Sequence, residues 1–491
     1  MIARRDMFGR KIITSDALEI TDENVIYELN QALAVHTLNR SQIDYLWRYY
    51  CGEQPILERK KDVRPEICNK IVENRANEIV SFKVGYLCGE PIQYVGRTSG
   101  EMVSKGISEL NEMMLNESKS AQDKEIVEWQ MICGTAFRLV LPRKSADIDE
   151  SPFQLFTLDP RDTFVTYSTD IDKHPLFAVK YRYTQENGYE YSVYSDHRYW
   201  LIINNEIAYS KSHGLGCIPI FEYPENNARL GSFEIVLPLL DAINNINSNR
   251  MDAMEQTVQA FIKFVNCDIT SEDFVALKSL GAIKVKSVDG APADVDVVKN
   301  DLDQNQSQVT KEDCYEAVLT ICGMPNRNGG SSTSDTGAAV QLRDGWSQAE
   351  ARAKDSEVMF KRSERNVLRL ILRIIRDTQG LNDDIYQLKL RDIAMQFTRR
   401  NYENIQSKSQ VLTTMLQNNK IHPRLAFEHC GMFSDAEDAY SISADYYNNL
   451  QKNIAADNAT AEELKNMRVN SKREDRESLK NGIDSQERLK S

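Results

Sequence analysis

Two stretches of this chain carry helical periodicity much longer than a small core can use. From Ser232 to Val265 apolar residues recur at Phe233, Leu237, Leu240, Ile243, Ile246, Met251, Met254, Val258 and Phe261. These are about 33 residues, on the order of 50 Å of helix. From Gly337 to Thr378 the same period holds for about 40 residues, on the order of 60 Å if straight, with Gly345 a candidate kink. Propensity alone does not hold such helices; they need neighbours along their length. A chain of 491 residues has room for them, because cores seldom grow past roughly 250–300 residues before dividing. Two to four structural units are expected.

Before the first long helix the pattern is mixed. Asn24–Tyr50, Asn69–Leu87, Met102–Asn116 and Ser118–Met131 read as helices, the second stopped by Gly89 and Pro91. Short runs rich in aromatic and β-branched residues follow: Phe153–Leu158, Thr163–Tyr167, Phe177–Tyr183, Tyr189–Tyr194, Tyr199–Ile203 and Pro219–Tyr223. Helices first and strands afterwards, without βαβ alternation, make residues 1–231 an α+β region. The middle of the long helix holds Asn244, Asn245, Asn247 and Asn249, all poor helix formers.

After that helix comes a compact insert. Ala282–Val288 alternates Ile283 and Val285 with Lys284 and Lys286, Asp289-Gly290-Ala291-Pro292 turns the chain, and Val295–Val298 alternates with Asp294 and Asp296. The spacing predicts a β-hairpin with Lys and Asp available for cross-strand pairing. A return helix covers Ser307–Cys322 and ends at Gly323 and Pro325. Asn326–Asp335 has no apolar residue and is rich in Gly and Ser, so it reads as a solvent-facing loop. Within the second long helix, Lys361, Arg365, Arg369 and Arg373 form a basic row at four-residue spacing. Tyr386–Thr398 alternates as a strand. Tyr402–Gln417, Pro423–Cys430 and Asp435–Gln451 form a separate helical unit, and the charged tail beyond it is expected to be partly disordered.

Charge and motifs exclude several classes. There are 60 Lys+Arg against 73 Asp+Glu, a net charge of -13, which leaves no overall basic surplus for phosphates. No apolar run reaches the length of a membrane span, and no apolar core follows the basic N-terminus as a secretory signal would require. The nine cysteines are odd in number and never paired as C-x-x-C, so they read as reduced small hydrophobes. No phosphate-binding P-loop, nucleophile elbow or H-E-x-x-H occurs, and the six histidines lack ligand spacing. Asp335-Thr336-Gly337 matches the aspartic-protease tripeptide outside any β framework. No catalytic residue, metal site or cofactor is expected.

The order of parts resembles the portal proteins of tailed double-stranded DNA bacteriophages, in the branch with long, flexible, non-contractile tails. The resemblance is carried over about residues 40–450 by Tyr49-Tyr50-Cys51-Gly52, Asn69-Lys70-Ile71-Val72 and Tyr86-Leu87-Cys88-Gly89-Glu90-Pro91-Ile92. Ile218-Pro219-Ile220-Phe221-Glu222-Tyr223-Pro224-Glu225-Asn226-Asn227 then leads into Ser232-Phe233-Glu234 and Leu240-Asp241-Ala242-Ile243-Asn244. Met324-Pro325, a Gly/Ser loop and Thr336-Gly337-Ala338-Ala339-Val340-Gln341-Leu342 complete the set.

The resemblance implies a portal fold with an α/β wing, a long-helix stem, a small β-containing clip and an α-helical crown. Residues 1–231 and 338–400 would be wing, 232–266 and 307–325 the stem helices, and 267–306 the clip. Residues 326–337 would be the tunnel loop, 401–455 the crown and 456–491 the tail. It further implies a ring of about twelve subunits at one capsid vertex, passing double-stranded DNA inward for packaging and outward for ejection. Such a protein is made in the host cytoplasm and resides in the virion. Implied partners are the large terminase subunit, a head-completion or adaptor protein, and the major capsid and scaffolding proteins, with no membrane. Candidate channel residues are Asn328, Gly329, Gly330, Ser331, Ser332, Thr333, Ser334 and Asp335. The basic row Lys361, Arg365, Arg369 and Arg373 is a candidate for DNA or inter-subunit contacts. Lys284, Lys286, Asp289, Gly290, Asp294 and Asp296 are the candidate docking residues of the clip. The rival readings are another virion structural protein or a capsid-processing enzyme.

Overall fold

The computed structural model describes residues 9–97, 100–144, 150–258, 261–268, 304–326, 345–378, 383–399, 405–433 and 439–454, with residues 272, 286–287, 292, 294–298 and 436. The chain divides into two units, residues 1–400 and 401–491. The first opens with β1 (Ile13–Ser15), α1 (Val25–Cys51), α2 (Arg75–Cys88), β2 (Gln93–Gly96), α3 (Glu101–Asn116) and α4 (Lys119–Cys133). Gly52, at φ 102, ends α1 in the left-handed conformation. Gly134, at φ 79, ends α4 where any Cβ would lie 2.2 Å from the Arg229 carbonyl, so both backbone and packing demand glycine there.

Strands follow: β3 (Thr135–Pro142), β4 (Phe153–Leu158), β5 (Thr163–Ser168), β6 (Pro175–Thr184), β7 (Gly188–Tyr194), β8 (Arg198–Ile203), β9 (Glu206–Ser212) and β10 (Ile220–Pro224). They make a six-stranded sheet in the order β1-β5-β6-β7-β8-β9 and a three-stranded sheet β10-β3-β4. All pairings are antiparallel except β1, which lies parallel to β5 with Ile13 opposite Thr166. The sequence reading missed β1, β2, β3 and β9. Strand β3 is buried on both faces over most of its length, so no polar alternation marks it.

Helix α1 lays Leu29 and Ala32 on the six-stranded sheet against Val179, Val193 and Trp200. His36 is a core histidine of this layer. Its ring sits 4.6 Å from that of Phe164 and hydrogen-bonds the Arg161 carbonyl at 3.2 Å. Burial pushes it down to about 4, which keeps it neutral.

The long elements then follow: α5 (Leu237–Val258), β11 (Phe261–Val265), β12 (Cys267–Asp268), β13 (Lys286–Ser287), β14 (Asp294–Val298), α6 (Gln304–Cys322) and α7 (Trp346–Asp377). After them come α8 (Asp383–Gln387) and β15 (Ile393–Gln396), which pairs with β2. Helix α7 buries Phe360, Val367, Leu368, Ile371 and Ile375 in the main core.

Several expectations need correction here. Helix α5 stops at Val258, because the β-branched and aromatic run Phe261–Val265 pairs with Asp294–Val298 instead of continuing the helix. Of the hairpin expected between 282–288 and 295–298, the described residues pair elsewhere: 295–298 with Phe261–Phe264, and Lys286 and Ser287 with Asp268 and Cys267, while 282–285 and 288 lie outside the described residues. Gly345, at φ 81, caps the described start of α7 and does not kink it; residues 337–344 lie outside the described residues. Only the second half of 386–398 is a strand; α8 and a short turn of 3₁₀ helix at Leu390–Asp392 precede it.

The second unit contains α9 (Ile405–Leu416), α10 (Pro423–Cys430) and a helical run over residues 439–454. Pro423 occupies the first turn of α10, where its missing N–H costs nothing, and His422 accepts from the Arg424 N–H at 3.2 Å. Phe427 stacks on Phe433 at 5.3 Å. The expected tail, residues 456–491, lies outside the described residues.

Candidate docking and channel elements

Helices α5 and α6 run antiparallel. At one end the Cys322 thiol donates to the Ser232 carbonyl at 3.5 Å, and further along Arg250 donates to Gln308 Oε1 at 2.6 Å. Their far ends are joined by the insert that contains β11–β14. Among the candidate docking residues, Lys286 lies in β13 and Asp294 and Asp296 in β14, with Lys263 of β11 opposite Asp296. Lys284, Asp289 and Gly290 lie outside the described residues.

The asparagines that weaken α5 as a helix have a use that the sequence reading missed. Asn244, Ser248 and Asp252 stand one turn apart on one buried face. Their side-chain oxygens accept from the main-chain N–H groups of Glu73, Ile71 and Asn69 at 2.8, 3.0 and 2.7 Å. The segment before α2 thus runs antiparallel along the helix, and this is why α2 starts at Arg75 and not at Asn69. Asp252 also meets Lys61 at 2.9 Å and Arg59 at 3.1 Å. Burial pushes its carboxyl up, but Lys61 and the Asn69 donors prevail and hold it below its ordinary value. The detectable signal was the recurrence of short polar acceptors every fourth residue on a helix with apolar flanks.

The candidate channel residues Asn328, Gly329, Gly330, Ser331, Ser332, Thr333, Ser334 and Asp335 lie outside the described residues. The flanking residues come together: Gly345 packs against the Met324 carbonyl oxygen and Pro325.

The basic row on α7 separates into two groups. Four-residue steps drift about 40° around a helix, so the row spirals across the surface. Lys361 pairs with Glu357 at 3.0 Å and lies 5.1 Å over the Phe397 ring. Arg365, Arg369 and Arg373 are exposed, joined on the same side by Arg362 and Arg376, which the four-residue spacing overlooked. Arg369 donates to Asn366 Oδ1 at 3.0 Å and Arg373 to the Leu215 carbonyl at 2.5 Å.

The opposite face of α7 is fixed by a buried ionic set. Glu364 accepts from Tyr94 Oη at 2.6 Å, from Arg138 at 3.1 Å and from Tyr223, and lies 3.3 Å from Lys119. Asp123 meets Lys119 at 2.7 Å and Arg138 at 2.6 Å. The two cations and two anions balance inside the fold, as burial of charge requires. The set joins α4, β2, β3, β10 and α7.

The structure therefore sets a pair of helices, α5 and α6, with β11–β14 in the connection between them, on a sheet-and-helix body braced by a buried ionic set. The phage portal protein family described as SPP1 Gp6-like matches residues 29–477, and the chain belongs to that family. It is accordingly a structural protein of a phage virion, with its place in the capsid. No curated protein matches the chain. Among solved structures, a chain of a "Virion of native gene transfer agent (GTA) particle" is similar at 9% identity and a TM-score of 0.44, covering 80% of this chain and 93% of that one. At that distance it adds nothing to the family match. No helix among the described residues is long and apolar enough to cross a membrane.

Proposed function

We propose that this chain closes with about eleven copies of itself into the ring through which double-stranded DNA enters the capsid and later leaves it. The observation that carries this reading is the α5–insert–α6 excursion within a chain of the portal family. In it, residues 232–258 and 307–325 serve as stem, 326–337 as tunnel loop and 401–455 as crown, and the clip, expected at 267–306, is extended back to take in β11, which pairs with β14. The wing comprises 1–231 and 338–400. The clip is the docking point for the large terminase subunit during packaging and for a head-completion or adaptor protein afterwards, while the wing and crown meet capsid and scaffolding proteins. The chain is made in the host cytoplasm and resides at the portal vertex of the virion.

Physical chemistry supports the channel role. A ring of chains each carrying -13 is strongly anionic, so a lumen of that sign repels phosphates and lets DNA slide. A head-to-tail ring needs two different complementary patches on each subunit, which a chain with separate helical faces can supply. Native mass spectrometry with negative-stain imaging tests this. Particles of about twelve 56.2 kDa chains with a central hole are expected. A small dimer with hydrolytic activity would overturn the reading in favour of a capsid-processing enzyme.

A further inference from the structure

We propose that the exposed arginine face of α7, with the groove beside its middle turns, is a docking surface for an acidic segment of a partner protein that carries apolar anchor residues. Arg362, Arg365, Arg369, Arg373 and Arg376 are all exposed, and among the described residues none has a carboxylate partner. Arg369 reaches an amide oxygen, and Arg373 and Arg376 reach the carbonyls of Leu215 and Leu388. Relative to Arg362, residues 369 and 373 fall within about 20° of the same helix line. Five adjacent guanidinium groups on a chain of net charge -13 repel one another and call for an anionic partner.

The groove decides which anion. It has a volume of about 650 Å³ and is walled by Ile12, Val165, Ile171, Phe221 and Met359, with Arg362 on its rim. Ile171 is fully exposed. The groove carboxylates are already engaged, Asp172 with His174 at 3.0 Å and Glu222 with Arg229 at 2.6 Å, while Lys173 adds a further cation. Nucleic-acid phosphates would satisfy the arginines but leave the apolar walls empty. A peptide that alternates carboxylates with aliphatic side chains satisfies both, since the guanidinium fork matches a carboxylate in two parallel hydrogen bonds. In the portal reading the channel segment adjoins the start of α7, and Arg362 lies about 24 Å along the helix from Trp346. The match of charge and groove does not depend on that reading.

The test uses the full chain and a labelled peptide of alternating Glu and Leu, followed by fluorescence anisotropy, with a Gln/Leu peptide and a short DNA duplex as competitors. Binding of the Glu/Leu peptide is expected, weakening with salt. It should weaken about ten-fold or more in the pair Arg362→Glu/Arg369→Glu and again in Ile171→Asp. Peptide binding that neither variant changes would overturn the proposal. Competition by DNA with Ile171→Asp silent would assign the face to nucleic acid instead. Loss of ring mass in the arginine pair would make it a contact between copies. Native mass spectra of the same samples keep the two readings apart: intact rings that ignore the peptide sink the docking surface alone, and peptide-binding chains that never form rings sink the ring alone.

Discussion

Glu364 on α7 and Arg138 on β3 are 226 residues apart in the chain and meet 3.1 Å apart in the interior, neither side chain exposed. The pair, with Lys119 and Asp123, fixes where α7 lies on the three-stranded sheet.

Removing one member leaves buried charge uncompensated. Glu364→Ala should destabilise the first unit by about 3–5 kcal/mol, because Arg138 and Lys119 would then share Asp123 alone. Urea unfolding followed by tryptophan fluorescence measures it. A loss under about 1 kcal/mol would mean that the set is not sealed from water.

The same carboxyl predicts an acid-sensitive first unit. Burial alone would raise it, but Lys119 and Arg138 override burial and hold it at about 2 against an ordinary 4.5. A group held low in the folded chain stabilises that chain above its ordinary value and loses the contribution as pH falls toward the folded one. Between about pH 5 and pH 2 the urea midpoint should therefore fall. Glu364→Gln should flatten that slope; identical slopes in both proteins would exclude Glu364 as its source.

Ser248→Ala should deprive only Ile71 of its main-chain acceptor, at a cost of about 1–3 kcal/mol. Hydrogen exchange resolved by residue should show the Ile71 amide exchanging faster while Asn69 and Glu73, held by Asp252 and Asn244, stay protected. Uniform loss of protection would mean that the segment comes away as one piece.

Two predictions follow from the portal reading. Shortening Gly329–Asp335 should leave rings intact and impair packaging in an in-vitro DNA-protection assay; normal packaging would remove the tunnel-loop assignment. Placing Pro at Val297, which is paired with Ile262, should disrupt the clip ladder and weaken co-sedimentation of the large terminase subunit with intact rings. Unchanged co-sedimentation would move docking elsewhere.

The elements marked by periodicity were legible in the sequence: Phe153–Leu158 and Pro423–Cys430 lie where the patterns place them. What stayed hidden was set by partners distant in the chain. Phe261–Val265 fits a helical stripe as well as a strand, and only its pairing with Asp294–Val298 decides. Nothing local to Thr135–Pro142 marks Arg138 as buried; its partners Asp123 and Glu364 come from α4 and α7. The arginine face was half visible, since a four-residue rule follows one spiral and passes over Arg362 and Arg376. Among the candidate clip positions, Lys286, Asp294 and Asp296 lie in strands, but their partners, Asp268, Val265 and Lys263, are not the local ones that the spacing suggested.

The ladder on α5 limits how that helix can travel. Four helical residues advance about 6 Å and two residues of drawn-out chain about 6.6 Å, close enough for Asn244, Ser248 and Asp252 to engage alternate amides together. The arrangement works as a toothed rack: a slide of one or two ångströms leaves every tooth between notches, and the next engagement lies a full turn away. Any stroke of α5 against this strap would come in whole clicks.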